Sequence, residues 1–167
     1  MLVLGIDQSY KSTGIVLLED ETIVDVLTFA ANTIKIEKKV EVEIDRFDQA
    51  VEIANFIGDY VLKHLPEAIG VEGLAHGGLG SMTRDLAGLQ FTIINHLRTL
   101  NFRRLELVPP TSVKKFATGK GNSKKELLYE HLPDSTKLLF DEKGFKKSKG
   151  RYDVTDAYWI ARFLLEN

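Results

Sequence analysis

The sequence predicts an α/β protein with a mixed five-stranded sheet and helices on both faces of that sheet. Three apolar segments, 2–7, 14–18 and 22–29, follow one another with short polar connections, which is typical of an antiparallel meander. Two more apolar segments, 68–73 and 104–108, alternate with segments of helical periodicity. Because strands that are separated by helices usually form parallel pairs, the meander and the two later strands predict one mixed sheet.

The helices are predicted from apolar side chains at helical spacing and from start and stop signals. They are expected at residues 45–64, 82–100, 111–117 and 124–131, with a last helix from Asp153. Ser123 and Glu126 match a capping box at the start of the fourth helix. The segment from Phe140 to Tyr152 is polar and basic, and we expect it to be mobile. The sequence shows no linker and no repeat, so residues 1–167 are interpreted as one domain.

The composition is that of a globular protein and excludes several classes of protein. The chain has 167 residues, of which 44% are hydrophobic and 28% are charged, which is enough for one domain with a core. It contains no cysteine, so disulfides and thiolate metal sites are excluded, and a reducing compartment suits the sequence. No apolar run is long enough to span a membrane. The expected location is therefore the cytoplasm.

The small net charge of −2 hides a strong asymmetry along the chain. Residues 1–102 contain 8 Lys and Arg against 15 Asp and Glu, whereas residues 103–151 contain 13 against 6. The two segments therefore carry opposite charges of −7 and +7. A basic segment beside an acidic site suits a polyanionic substrate that meets a metal site, although basic residues can also simply solvate a surface.

Four carboxylates stand where the pattern predicts buried elements. Asp7 and Glu72 each end an apolar strand, and Asp153 and Asp156 open the last helix. Isolated buried carboxylates are strongly disfavoured, and several that converge raise one another's pKa. A divalent cation is a common means of keeping such a cluster ionised, so the four residues predict a metal-dependent enzyme. For Asp153, a helix-capping role explains the residue equally well.

Several short motifs occur in an order that carries more information than any one of them. Gly5-Ile6-Asp7 precedes a hairpin, Val71-Glu72 ends a strand, and Asp153-x-x-Asp156-Ala157 opens the terminal helix. Between them lie the segment Leu86-Ala87-Gly88-Leu89-Gln90 and residues 113–125, with the sequence VKKFATGKGNSKK. Over residues 5–161 this ordered set resembles the RuvC Holliday junction resolvases, which are ribonuclease-H-like nucleases. The resemblance implies a ribonuclease-H-like fold for the mixed sheet.

The chain departs from the RuvC pattern in two places. The family usually has Asp-Pro-Gly after the first strand, where this chain has Asp7-Gln8-Ser9. The family also has an aromatic residue, used on junction bases, three positions after the glutamate, where this chain has Ala75 followed by His76. His76 or Leu74 is an alternative base contact, and a mobile Gly-rich loop without such a contact explains the segment equally well. The departures favour a divergent member, such as a phage protein in an infected bacterial cell, with a broader preference for branched DNA.

The resemblance implies an endonuclease that resolves Holliday junctions and related branched DNA in recombination and repair, by paired nicks. Asp7, Glu72, Asp153 and Asp156 would hold two Mg²⁺ ions, for which Mn²⁺ can substitute, with Asp7 between the two ions. Lys114 and Lys125 would contact the scissile phosphate or stabilise charge in the transition state. Further contacts to DNA are expected from Lys115, Lys120, Lys124, Lys143, Lys146, Lys147, Lys149, Arg151 and His76.

Paired nicks in a four-way junction require two active sites, so we expect a two-fold symmetric homodimer. The interface is expected on the helix at 82–100. The candidate interface residues are Leu86, Leu89, Phe91, Ile93 and Ile94, some of which must instead fill the core of the monomer.

Two other functions remain open on the sequence. The segment from Gly5 to Gly14 also resembles the first phosphate loop of sugar kinases and actin-like ATPases. Those proteins need a duplicated domain and a second nucleotide loop, for which 167 residues leave no room. The other alternative is a non-catalytic protein that binds junctions on the same fold, and the presence of all four carboxylates argues against it.

Overall fold

The structure of the chain, a computed structural model, describes residues 1–31, 39–74, 80–102 and 104–167, of which 39–44 by backbone only. The strands are β1 (Leu2–Asp7), β2 (Thr13–Glu19), β3 (Thr22–Phe29), β4 (Ala68–Glu72) and β5 (Leu105–Val108). The helices are α1 (Lys39–His64), α2 (Ser81–Thr99), α3 (Pro110–Thr118), α4 (Lys125–Glu130), α5 (Asp134–Glu142) and α6 (Arg151–Glu166). Among the described helices, none combines the length and the apolar character needed to cross a membrane.

The five strands form one mixed sheet in the order β3-β2-β1-β4-β5. The first three strands are an antiparallel meander, in which Leu4 lies opposite Leu17 and Asp7 lies opposite Gly14. Strand β4 pairs in parallel with β1 and with β5, and Leu4 lies beside Ile69. The predicted sheet, with three antiparallel and two parallel strands, is therefore confirmed.

Alternating side chains of the central strands build two apolar cores, one on each face of the sheet. Leu4, Ile6 and Leu17 are fully buried and pack with apolar residues of α1 and α2. Val3 and Val16 point to the other face, where α6 covers the sheet and α3, α4 and α5 add to the core. Successive side chains of a strand point to opposite faces of the sheet. The odd-numbered residues of β1 therefore face α6, and the even-numbered residues face α1 and α2.

Helix α6 lies unusually close to the sheet because glycines face it. A Cβ atom at Gly5 would collide with the carbonyl oxygen of Ala157 and would lie 2.8 Å from the backbone nitrogen of Ala161. A Cβ atom at Gly14 would collide with the carbonyl group of Asp153. The obstructing atoms are mostly helix backbone, which cannot move aside as a flexible side chain can. The start of α6 is thus held against the ends of β1 and β2.

The segment after α4 differs from the prediction, because it contains a helix that the apolar pattern does not reveal. Helix α5 spans only nine residues, and within it Phe140 is fully buried. The segment 140–152 is not polar surface throughout, as the sequence suggested, since Phe145 is buried and packs edge-on against Phe140 at 5.9 Å between ring centres. The expected mobility of the segment stays a prediction. Lys146 and Lys149 then close a tight turn through two backbone hydrogen bonds.

Two other predictions need correction. Ser123 does not cap α4, because its hydroxyl is hydrogen-bonded to Thr118 Oγ1 and to the carbonyl of Lys120, and α4 begins after Lys124 without a side-chain cap. Leu89 and Ile93 do not lie on an interface, because both are fully buried in the core of the monomer. The remaining candidates divide: Ile94 packs against that core, Leu86 is half-buried and Phe91 is exposed.

Alanine at Gly5 should destabilise the protein, because the new methyl group has to displace the backbone of α6. We expect Gly5→Ala to lower the free energy of unfolding by about 1–3 kcal/mol, as overpacking of a core does. Gly88→Ala is the matched control, because no atom lies within 4 Å of its Cβ position in the middle of α2. Alanine there should be neutral or stabilising by up to about 1 kcal/mol. Urea denaturation measures both, and equal effects of the two substitutions would contradict the close contact.

Candidate active site at the strand ends

Asp7 and Glu72 lie side by side because they are the last residues of two neighbouring parallel strands, β1 and β4. Each lies two residues after a glycine that faces α6: Asp7 follows Gly5 in β1, and Glu72 follows Gly70 in β4. The two-residue period of a strand therefore directs both carboxylates to the α6 side of the sheet. Asp7 is only 7% exposed, and its carboxyl group is in hydrogen-bonding contact with that of Glu72, which helps to raise the pKa of Asp7.

Helix α6 supplies the third carboxylate. Asp156 lies one helical turn before Ile160, a residue that packs at Gly70 of β4, and the shared helix face brings Asp156 to the strand ends. Asp156 is 7% exposed and interacts electrostatically with Asp7 and Glu72. Asp153 is half-buried in the first turn of α6, where its charge acts on Lys125. The structure thus brings three of the four predicted carboxylates into electrostatic contact, and Asp153 is linked to them through Lys125.

Two of the predicted lysines lie beside this cluster, which we call the carboxylate cluster (Asp7, Glu72 and Asp156). The Nζ atom of Lys125 lies 3.4 Å from Oδ2 of Asp156. The charge of Lys114 also acts on Asp156. Lysine at a cluster of buried carboxylates partly offsets their charge and presents a cation to an anionic ligand.

The electrostatics show that the carboxylate cluster resists full ionisation. Burial raises the pKa of Asp7 well above the usual carboxyl range, and the neighbouring charges of Glu72 and Asp156 raise it further. Burial also raises the pKa of Asp156 to about 6, against the opposing effect of Lys125. Desolvation lowers the pKa of Lys125, but Asp156 and Asp7 raise it by more. A group that favours the ionised carboxylates would therefore be stabilised here.

The donor chemistry of the carboxylate cluster fits a hard divalent cation such as Mg²⁺. All of its side-chain donors are carboxylate oxygens, and the raised pKa values indicate that a positive charge would stabilise the ionised form. The arrangement is not that of a preformed cage: among the side chains that the structure describes, no three His, Cys, Asp or Glu are placed to hold one metal ion. Ligation by these residues would have to break the hydrogen bond between Asp7 and Glu72.

Two glutamines that the sequence analysis did not single out as site residues fix the backbone of Glu72. The side-chain amides of Gln8 and Gln90 each donate a hydrogen bond of 2.8 Å to the carbonyl oxygen of Glu72. Both side chains are buried. The signal for Gln90 was its polar side chain beside Leu89 on the apolar face of a predicted helix, because a buried amide needs a partner. Gln8 occupies the position where the RuvC pattern has proline, which has no side-chain donor.

The other lysines predicted to contact DNA lie on the surface. Exposed positions are occupied by Lys115, Lys120, Lys124, Lys143, Lys146, Lys147 and Lys149. Three of them, Lys146, Lys147 and Lys149, lie in the turn that Lys146 and Lys149 close, and Lys147 lies 3.8 Å from Glu126. Arg151 is half-buried, with a salt bridge of 2.9 Å to Asp141 and its guanidinium group over the ring of Tyr129. His76 falls outside the described residues.

The sheet order, the helices on both faces and the strand-end carboxylates define a ribonuclease-H-like α/β fold of the RuvC type. The chain is similar to the structure of Thermus thermophilus RuvC, with a TM-score of 0.69 and 15% identity over 96% of this chain and 91% of that one. It is equally similar to T. thermophilus RuvC in complex with a Holliday junction substrate, with a TM-score of 0.68, 15% identity and coverage of 96% and 90%.

A eukaryotic protein has the same fold. The yeast mitochondrial Holliday junction resolvase Ydc2 matches with a TM-score of 0.66 and 16% identity over 98% of this chain and 77% of that one. No protein-family model matches the sequence, and no curated protein matches it. The predicted resemblance is confirmed for the fold, and the low identities make this chain divergent from these neighbours.

The raised pKa values predict that the metal-free protein is less stable at high pH because of its carboxylate cluster. The usual pKa of an aspartate carboxyl group is 3.8, and the raised pKa of Asp156 is about 6. Between the usual and the raised pKa values, the folded protein binds more protons than the unfolded chain. Stability from this source is therefore present at low pH and is lost as the pH rises through that window. Asp7→Asn removes one buried charge. In EDTA at pH 8 we expect it to be more stable than the unchanged protein by at least about 1 kcal/mol, or about 2–4 °C.

Thermal unfolding of the two proteins from pH 4.5 to pH 8 measures this difference, which should shrink toward the acidic end. Asp59→Asn is the control, because Asp59 is an exposed carboxylate on α1. A gap between Asp7→Asn and the unchanged protein that does not vary with pH would show that Asp7 is ionised throughout.

Proposed function

We propose that this protein is a structure-selective endonuclease that hydrolyses phosphodiester bonds in Holliday junctions and related branched DNA. The observation that carries the proposal is the carboxylate cluster with Lys125 at its edge, at the strand ends of a RuvC-type fold. One of the structural neighbours is described in complex with a Holliday junction substrate, and another is named as a Holliday junction resolvase. Branched DNA is therefore the substrate class that we assign.

The proposed site residues act through position and charge. Asp7, Glu72 and Asp156, with Asp153 beside them, would hold two Mg²⁺ ions. When bound, such ions supply a nucleophile at neutral pH and stabilise charge on the leaving oxygen. Lys125 and Lys114 stand next to Asp156 and would contact the scissile phosphate, where they offset negative charge in the transition state. The hydrogen bonds from Gln8 and Gln90 keep the backbone of Glu72 in place during the reaction.

The exposed lysines that surround the turn at Lys146 and Lys149 would follow the phosphates of a junction arm. Such contacts increase affinity without reading sequence. A four-way junction has two equivalent exchanging strands, so symmetrical resolution needs two copies of the site, and we propose a homodimer. Of the residues expected on its interface, Phe91 is exposed on α2 and available for that role.

A non-catalytic protein that binds junctions is the second candidate. The observation in its favour is that the carboxylates of Asp7 and Glu72 are joined by a hydrogen bond rather than spread as ligands. The same residues would then serve only to shape the strand ends. Metal-dependent nicking separates the two candidates directly.

The assay uses a four-way junction labelled on each strand in turn, with Mg²⁺ or with EDTA. We expect nicks at symmetrical positions in Mg²⁺ and none in EDTA. Asp7→Asn and Glu72→Gln should lower the nicking rate by at least about 10²-fold, because each removes a charge that the reaction needs. Binding of the junction in EDTA should be kept or become tighter, because one negative charge is lost near the phosphates.

The control Asp59→Asn should nick as the unchanged protein does, since Asp59 is an exposed carboxylate far along α1. Tight binding without any metal-dependent nick would leave the non-catalytic function. Retained cleavage by Asp7→Asn would refute the assignment of the carboxylate cluster as the active site.

A further inference from the structure

A cleft beside the carboxylate cluster combines aromatic rings with arginine side chains. It has a volume of about 330 Å³ and lies between the turn after β1, the first half of α1 and the start of α2. The residues that give it chemical character are Tyr10, Arg46, Phe47, Arg84 and Asp85. We call it the Tyr10–Phe47 cleft.

Tyr10 is held in a fixed position at the cleft. Its hydroxyl donates a hydrogen bond of 3.1 Å to the carbonyl oxygen of Asp85, and the guanidinium group of Arg46 lies 4.7 Å from the centre of its ring. Phe47 is different, because 70% of its surface is exposed on a helix whose other face is buried. The lining of the cleft thus combines Tyr10 and Arg46, which contact each other, with the mostly exposed phenyl ring of Phe47.

The charge of the Tyr10–Phe47 cleft is opposite to that of its surroundings. Residues 1–102 carry a net charge of −7 and contain three arginines, of which Arg46 and Arg84 line the cleft. Asp85 pairs with Arg84 at 3.5 Å, and the named lining residues together carry a net charge of +1. Two positive groups in an acidic region mark a place that attracts an anion.

The cleft is close to the proposed site of cleavage. Tyr10 follows Asp7 by three residues, so their Cα atoms are at most about 11 Å apart. Helix α2 contacts both places: the carbonyl of Asp85 accepts from Tyr10, and the side chain of Gln90 donates to Glu72. A strand held in the cleft would therefore be positioned only a few nucleotides from the carboxylate cluster.

We propose that the Tyr10–Phe47 cleft binds an unpaired nucleotide of branched DNA, with its base stacked on Phe47 and its phosphate beside Arg46 and Arg84. The proposal rests on the proposed function and extends it to the recognition of the branch point. Aromatic rings beside cationic groups are the usual means of binding single-stranded nucleic acid, because every base offers a face for stacking. In an intact duplex the bases stay stacked on each other, so this cleft favours DNA that can release one.

A second copy of the chain fits the cleft less well. In a two-fold symmetric contact through the cleft, the same surface patch of each copy would meet the other, so two linings of net positive charge would face each other. That repulsion is unfavourable, whereas a phosphate offsets the positive charge of the lining.

The test compares binding of a four-way junction with binding of a linear duplex of the same length, in EDTA so that no strand is cut. We expect Phe47→Ala to weaken binding of the junction on the order of tenfold, as loss of one base–aromatic stack does, and binding of the duplex by less than about twofold. Phe47→Trp should keep the preference for the junction, because it keeps an aromatic face. Leu138→Ala is the control, since Leu138 is 64% exposed on α5, away from the cleft.

A fluorescent base, 2-aminopurine, placed at the branch point reports the stacking itself. The unchanged protein should alter its fluorescence, and Phe47→Ala should abolish that change. Equal weakening of junction and duplex, no weakening at all, or a loss of dimer mass in Phe47→Ala would each overturn the proposal. If the unchanged protein neither binds nor nicks junctions, the proposed function fails. If it does both and Phe47→Ala behaves identically, only the assignment of the cleft fails.

Discussion

The close contact between α6 and the glycines of the central strands fixes the relation between the sheet and the candidate active site. Gly5 and Gly14 leave room for the helix backbone itself, and the small side chains of Ala157 and Ala161 complete the fit. Because no side chain separates α6 from the sheet at these glycines, the first turns of the helix lie directly beside the strand ends. Asp156 reaches Asp7 and Glu72 for this reason, and a bulkier residue at Gly5 would separate two halves of the same site.

The rest of the fold holds the carboxylate cluster in place, although the buried carboxylates lower the stability of the folded protein. Burial and mutual repulsion raise the pKa of Asp7 and of Asp156, so ionisation at neutral pH destabilises the metal-free protein. The two apolar cores on either face of the sheet supply the stability that makes this tolerable. Proteins depart from locally favourable choices mainly at functional sites, and a cluster of acids at the end of apolar strands is such a departure. The hydrogen bonds from Gln8 and Gln90 to the carbonyl oxygen of Glu72 hold the end of β4 in place against the repulsion between the carboxylates.

The sequence predicts well what depends on local pattern and predicts poorly what depends on which elements meet. The strands of the meander, the position of Asp7 and Glu72 at strand ends, and the start of a terminal helix all follow from apolar runs and their interruptions. Helix α5 was not predicted, because its nine residues, with one fully buried aromatic side chain, are too few to show a helical apolar pattern. The prediction that Ser123 caps α4 was wrong because its hydroxyl is hydrogen-bonded to Thr118 and to the carbonyl of Lys120 instead. The spacing of residues in the sequence cannot show this competition. The Tyr10–Phe47 cleft joins residues 10, 46 and 84, whose proximity exists only after the strands and helices have packed.

The distribution of charge around the strand ends constrains how a polyanion can approach. Lys114 and Lys125 belong to α3 and α4 on the α6 side of the sheet, beside the carboxylate cluster, whereas Arg46 lies on α1 at the other face. With a net charge of −2 and a pI of about 6.1, the chain has little general attraction for DNA. On the proposed function, binding would depend on a substrate that reaches both positive regions at once. A straight duplex lying on one face would do this less easily than a strand that crosses from one face to the other. A branch point offers such a strand, so the proposed selectivity would come from the shape of the DNA rather than from its charge alone.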